Sequence, residues 1–339
     1  MRRRCTHHNA CRADVTCGDP FAPFVCAAKD LYWQDCSREV IIWAGGVCGD
    51  QMQPGVMDWG VAQRAFFTDL STVPSAPGYA LADELVGDMA AAHAAGDTTK
   101  PPMLNGWHSY CKDYEHTFTT LASKHGGRVH GLNTNPNLSF SNQIKLPSGY
   151  KFKNRHSPPP PSTPLNKVAI TLVQTDGLGL GAWAKPGCGK IPYCWEVTLP
   201  DLEIQPALLQ MFYEQATDKD FFVGALGGPG YMYPKAVPPS LLGSRLGLAQ
   251  DMMRVLDLQH FIVFDASSCR GAHTVTGDTW LTPDVVDAYF TTMNETVGFL
   301  NGYGPTFTFE HQAPPTNHSV VSFDCELRAP LLCPCDVGG

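Results

Sequence analysis

Carboxylates, amides and aromatic rings recur in this chain where short apolar runs stop. Asp69 falls at the end of the run 65–70, Asn105, Trp107 and His108 at the end of 102–107, Asn133 after 128–132, Asp176 after 168–175, and Asp265 after 260–264. In a parallel barrel the active site sits where strands run out at the C-terminal face, so these are the first candidates for chemistry. A cleft ringed by such groups suits sugars, whose hydroxyls take forked hydrogen bonds and whose C–H faces stack on rings. Hydrolysis of a glycosidic bond ordinarily needs one carboxyl held protonated and a second kept ionised. Asp176 and Glu115 are the leading pair, with Asp265 and Asp69 next. Trp107, Trp183, Tyr231 and Tyr233 are candidate sugar platforms, and Asn133 a hydroxyl clamp. The competing reading of each acid is a cap on the following helix.

Elements that could position these groups follow from residue 38 onward, where apolar runs alternate with amphipathic stretches as in a largely parallel sheet. Strands are expected at 40–44, 65–70, 102–107, 128–132, 168–175, 221–225, 260–265 and 297–301. Between them, Leu242, Leu246, Ala249, Met253 and Leu256 recur at helical spacing. Tyr114, Phe118 and Leu121 share a second helical face that Gly126 ends, and the Ala-rich stretch 82–95 stops at Gly96 in the same way. Further helices are expected after Asp201 and from Thr282-Pro283. The eight strands predict one α/β domain over 38–310, a TIM-like (β/α) barrel that is distorted or incomplete. The prolines of 156–164 form a surface loop in it, 1–37 is a Cys-rich segment that is poorly ordered, and 311–339 is a tail.

The sharpest local signal is Gly228-Pro229-Gly230-Tyr231-Met232-Tyr233-Pro234, directly after an expected strand. Gly228 and Gly230 open backbone angles closed to other residues, and the prolines fix the course of the loop, so both tyrosines are held at the strand's exit. They form either a sugar platform or a packing loop with both rings buried. The stretch FFVGALGGPGYMYPKAVP resembles the signature of the GxGYxYP putative glycoside hydrolases. LNGWHSYCKDYEH, VAITLVQTDG and CWEVTLPDLEIQP are similar to other parts of that family, so the resemblance spans roughly 38–303, the length of the family's C-terminal domain. It implies a TIM-like barrel and sugar processing. The family typically follows its Asp-Gly with a second Asp and an Asn, whereas this chain reads Asp176-Gly177-Leu178-Gly179. A two-acid mechanism must then recruit its second carboxyl elsewhere. The smaller domain that usually precedes the barrel is replaced by the Cys-rich start.

Net charge of -8 and the lack of a Lys/Arg block beyond Arg4 argue against nucleic acid as a partner. The apolar runs are too short to insert into a membrane. Thirteen cysteines and N-x-S/T triplets at Asn137, Asn294 and Asn317 point to disulfides, glycosylation and a secretory route, although no signal peptide is visible. Gly177-Leu178-Gly179 is too short for a nucleotide loop, and neither a cofactor nor a metal site is expected. Two alternatives to a glycosidase stand. One is a metal-dependent polysaccharide deacetylase, against which His108 and His116 lie eight residues apart across a loop. The other is a non-catalytic carbohydrate-binding protein, which the lost Asp-Asn favours.

Overall fold

The structure, a computed structural model, describes residues 22–45, 54–109, 112–131, 137–156, 171–175, 182–184, 188–268 and 281–301, with backbone alone at 22–23, 54–55, 182, 311–312 and 319–322. Asp176, Asn133 and the Pro-rich run at 157–164 lie outside these residues.

The strands form two sheets, one of them curled into a half-barrel. In the first, β1 (Val40–Trp43), β2 (Phe66–Thr68), β3 (Met103–Gly106) and β4 (Arg128–His130) run parallel in the order β2-β1-β3-β4. Alternation of side chains sends Ile41, Trp43, Leu104 and Val129 to one face. There they pack on α1 (Ala22–Tyr32), α3 (Tyr79–Ala95) and α4 (Glu115–Lys124). Val40, Ile42 and Met103 point to the other, against Val56 and Trp59 of α2 (Pro54–Ala62), Leu138 of α5 (Leu138–Ser141) and Ile204 of α6 (Asp201–Ile204). Helices on both faces and the crossover of β2 to β3 past β1 make this a doubly wound sheet.

The second sheet runs β10-β11-β9-β8-β7-β6-β5, parallel except where β10 (His311–Gln312) meets β11 (Ser319–Ser322). Its other strands are β5 (Val173–Gln174), β6 (Tyr193–Thr198), β7 (Asp220–Ala225), β8 (His260–Val263) and β9 (Gly298–Asn301). Trp195, Val197, Phe222, Phe261 and Phe299 pack on α7 (Pro206–Gln215), α8 (Pro239–Val255) and α9 (Pro283–Thr292). The opposite face carries Val223, Ala225 and Ile262, and the loop side chains Tyr231 and Tyr233 pack on it.

Of the expected distorted or incomplete barrel the structure shows the α/β class and a curled half-barrel: among the described residues the strands form two sheets and not one closed cylinder of eight, and helices pack on both faces of the first. The other expected strands and helices are present; of the strand expected at 168–175, residues 168–170 lie outside the described residues and β5 covers only Val173–Gln174. Gly126 and Gly96 stand at φ of 64° and 82°, the left-handed stops that end α4 and α3. Unforeseen were α1, α2, β6 and the short β10 and β11. Part of the Cys-rich start belongs to the core: Cys26 and Trp33 are buried in the first sheet's cluster, and the Trp33 indole donates to Asp88 at 2.9 Å. Cys26 is disulfide-bonded, while Cys36, Cys188 and Cys194 are free thiols. No helix among the described residues is long and apolar enough to cross a membrane.

Candidate active site

The Gly-Pro-Gly-Tyr-Met-Tyr-Pro loop joins the two sheets. Tyr231 makes an isolated antiparallel bridge with Val129 of β4, N–H to O in both directions at 2.9 Å. Gly230 permits the approach, since a Cβ there would lie 3.0 Å from the Arg128 Cβ and 3.1 Å from the Val129 carbonyl oxygen. On the other side the Gly227 N–H donates to the Ile262 carbonyl at 3.1 Å, and the buried Tyr289 hydroxyl donates to the Gly227 carbonyl. The Tyr233 N–H donates to Ser123 Oγ of α4 at 2.9 Å.

The loop brings several predicted residues together. The Tyr231 ring lies parallel to Trp107 and Phe264, each 6.3 Å away between centroids, and meets Tyr233 edge-on at 5.4 Å. Its hydroxyl donates to Glu115 Oε1 at 2.5 Å and stands 3.0 Å from the Tyr233 hydroxyl. Burial, then the Glu115 charge, holds the Tyr231 phenol well above its ordinary pKa. Glu115 is the first residue of α4, where the helix dipole favours an ionised carboxylate. Trp107 and Tyr233 are buried, whereas Glu115 and Tyr231 are only partly so.

Asp69 sits beyond β2, its Oδ2 3.4 Å from Lys112 Nζ. Beside it lies a group that the sequence reading missed, Asp113, which accepts from Ser71 Oγ at 2.5 Å and Thr72 N–H at 3.1 Å. Burial pushes the Asp113 carboxyl up to about 6, against the pull of Ser71 and Lys112. Burial also pushes His108 down to about 4, with nearby His116 acting in the same direction. Glu196, in the middle of β6 and fully buried, was missed as well; a charged residue between Trp195 and Val197 gives no local sign of which face it takes.

Two predicted residues stand apart. Asp265 is fully buried and engaged in holding its own loop, accepting from Lys235 N–H at 2.7 Å, Ser267 N–H at 2.9 Å and Ser267 Oγ at 2.6 Å. Trp183 packs on Trp195, Phe212 and Phe222 and donates to Gln215, none of them part of the Tyr231 group. Gly228 faces the Met232 side chain and Gly230 faces β4.

A doubly wound parallel sheet, joined through an aromatic and carboxylate seam to a second, mainly parallel sheet, defines the class of this protein. The chain belongs to the GxGYxYP family: the model described as "GxGYxYP third domain" matches residues 38–143, and "GxGYxYP putative glycoside hydrolase C-terminal domain" matches 166–332. The resemblance expected within one C-terminal domain thus divides into two, one for each sheet. Of the solved structures, a putative hydrolase from Bacteroides thetaiotaomicron VPI-5482 is similar, at TM-score 0.61 and 15% identity over 88% of this chain and 54% of that one. At that identity the likeness is one of fold, and this chain spans about half of that protein's length. No curated protein matches the chain.

Proposed function

We propose that the protein hydrolyses glycosidic bonds in an oligo- or polysaccharide, with Glu115 as its ionised carboxylate and Asp176 as the acid. The observation that carries this reading is the hydrogen bond from Tyr231 to Glu115, partly open to solvent at the seam where the family's motif meets α4. A tyrosine that donates to a carboxylate keeps it ionised and aligned, the state a nucleophile or base needs. Asp176 follows β5 by two residues, and the family resemblance of VAITLVQTDG supports its role. Family membership supports the reaction class, and the structural neighbour, itself called a putative hydrolase, agrees with it.

The test is a panel of aryl glycosides and polysaccharides, scored for released phenol and reducing ends. Glu115→Gln and Asp176→Asn are each expected to lower kcat by about a hundredfold or more with the fold retained, and Tyr231→Phe by less. Chelator should leave the rate unchanged; a loss on chelation would favour the metal-dependent deacetylase. If the wild-type chain binds oligosaccharides without cleaving any, the non-catalytic reading replaces this one.

A further inference from the structure

A site that grips sugar gains most from a ring whose face is open, because the C–H face of a pyranose is bound by stacking. The rings of the seam are already covered: Trp107 and Tyr233 are buried, and Tyr231 lies parallel against Trp107 and Phe264. Tyr114, the residue before Glu115, differs from all three. It is 36% exposed, and among the described residues the one ring against it is that of His116, parallel within 3° at 5.5 Å between centroids.

That ring is set in place before any ligand arrives. The Thr117 hydroxyl donates to the Tyr114 carbonyl at 2.8 Å and stands 2.9 Å from the Thr72 hydroxyl. One residue earlier, Asp113 accepts from Ser71 Oγ and the Thr72 N–H. The backbone on both sides of Tyr114 is thus tied to the loop after β2, and a ring ordered in advance loses little side-chain freedom on binding. Beneath it, burial lowers the His116 pKa, so the imidazole is largely neutral at pH 7. The phenol's outer face keeps its negative quadrupole, which attracts the positively polarised C–H groups of a sugar. The charge beside it is negative: Lys112, the single Lys or Arg between β3 and α4, is engaged by the carboxylate and the carbonyl of Asp69, and Glu115 sits at the helix start that favours its ionised form.

We propose that Tyr114 is the specificity-determining platform of this site, stacking on the C–H face of a neutral pyranose next to the bond that Glu115 addresses. The substrate class that follows is a polysaccharide of gluco- or xylo-configured units, whose equatorial hydroxyls leave the ring faces to C–H groups. A uronate in the same place brings its charge toward Glu115 and is disfavoured. Where the reacting bond lies is taken from the hydrolytic reading; the stacking stands on the open, braced ring.

Affinity electrophoresis of the full chain in gels holding mixed-linkage β-glucan, xylan or polygalacturonate tests the assignment. At least one neutral polymer is expected to retard the wild-type chain, with polygalacturonate weaker by about fivefold or more. Tyr114→Ala should weaken the neutral polymer by about fivefold or more at unchanged Tm, whereas Tyr114→Phe and Tyr114→Trp keep the ring and should stay within about twofold of wild type. Retardation by neither neutral polymer, equal retardation by polygalacturonate, an unaffected Tyr114→Ala variant, or a Tyr114→Phe variant as weak as Tyr114→Ala overturns the proposal. Binding is read without turnover, so the two readings fail separately. A chain that binds through Tyr114 and releases no reducing ends sinks the hydrolysis and keeps the platform; one that cleaves glucan or xylan with the same KM in Tyr114→Ala does the reverse.

Discussion

At the scale of single residues, the family motif is explained by contacts of its backbone as much as by its rings. Gly227 stands at φ 73°, and a Cβ there would come within 2.0 Å of the Met232 carbonyl oxygen, a backbone atom that cannot step aside. A Cβ on Gly230 would press at 3.0–3.1 Å on β4 and Pro200. On Gly228 the nearest atom, at 2.5 Å, is the end of the flexible Met232 side chain. Alanine at these three positions should therefore cost most at Gly227, above about 2 kcal/mol, less at Gly230 and least at Gly228. Urea midpoints at constant slope measure the order, and a larger loss for Gly228→Ala than for Gly227→Ala contradicts it. The motif was legible from its residue types. Which rings it buries was not, because Tyr231 and Tyr233 alternate onto different neighbours that arrive from β3, α4 and β8.

Between elements, the turn from β3 into α4 sets two titrating groups against one another. The Asp113 carboxyl is raised to about 6, so its contribution to stability is full below its unfolded value near 3.8 and is lost as pH rises through about 6. His108 is lowered to about 4, so its contribution is full above 6.5 and is lost as pH falls through about 4. Each amounts to about 3 kcal/mol across the same window, with opposite sign. The wild-type protein should accordingly show little net slope from this turn between about pH 4 and 6. Asp113→Asn should steepen the loss of stability on acidification, and His108→Asn should make the protein more stable at the acid end relative to the neutral one. Denaturant unfolding across that range checks both, and parallel profiles for the two variants would contradict the assignment. Asp113 escaped notice because its burial depends on Ser71 and Thr72, more than forty residues earlier in the chain. Elements with a strong period, such as α8, were legible throughout. By contrast β6 was not, since Glu196 breaks the apolar run that marks a strand.

For the whole molecule, the decisive feature is which sheet edges meet, and no local pattern carries that. Alternating strands and helices are equally compatible with one closed cylinder and with two sheets, so the barrel expectation went beyond what spacing can support. What joins the sheets here is the edge of β4, where Arg128 ties the motif to α6 through Pro229 and Glu203. The guanidinium is 1% exposed, and a buried ion pair is costly to break and cheap to replace. Arg128→Met leaves Glu203 only its ion pair with Lys100 and removes the donor to Pro229, and is expected to cost about 3 kcal/mol, the low end for a broken buried pair. Arg128→Met with Glu203→Leu removes both charges and should recover part of that loss, leaving about 1–2 kcal/mol for the bare Pro229 carbonyl. Should the double variant be no more stable than the single one, the seam draws its strength from somewhere other than the fit of this pair, and the two sheets are held chiefly by the aromatic packing around Tyr231.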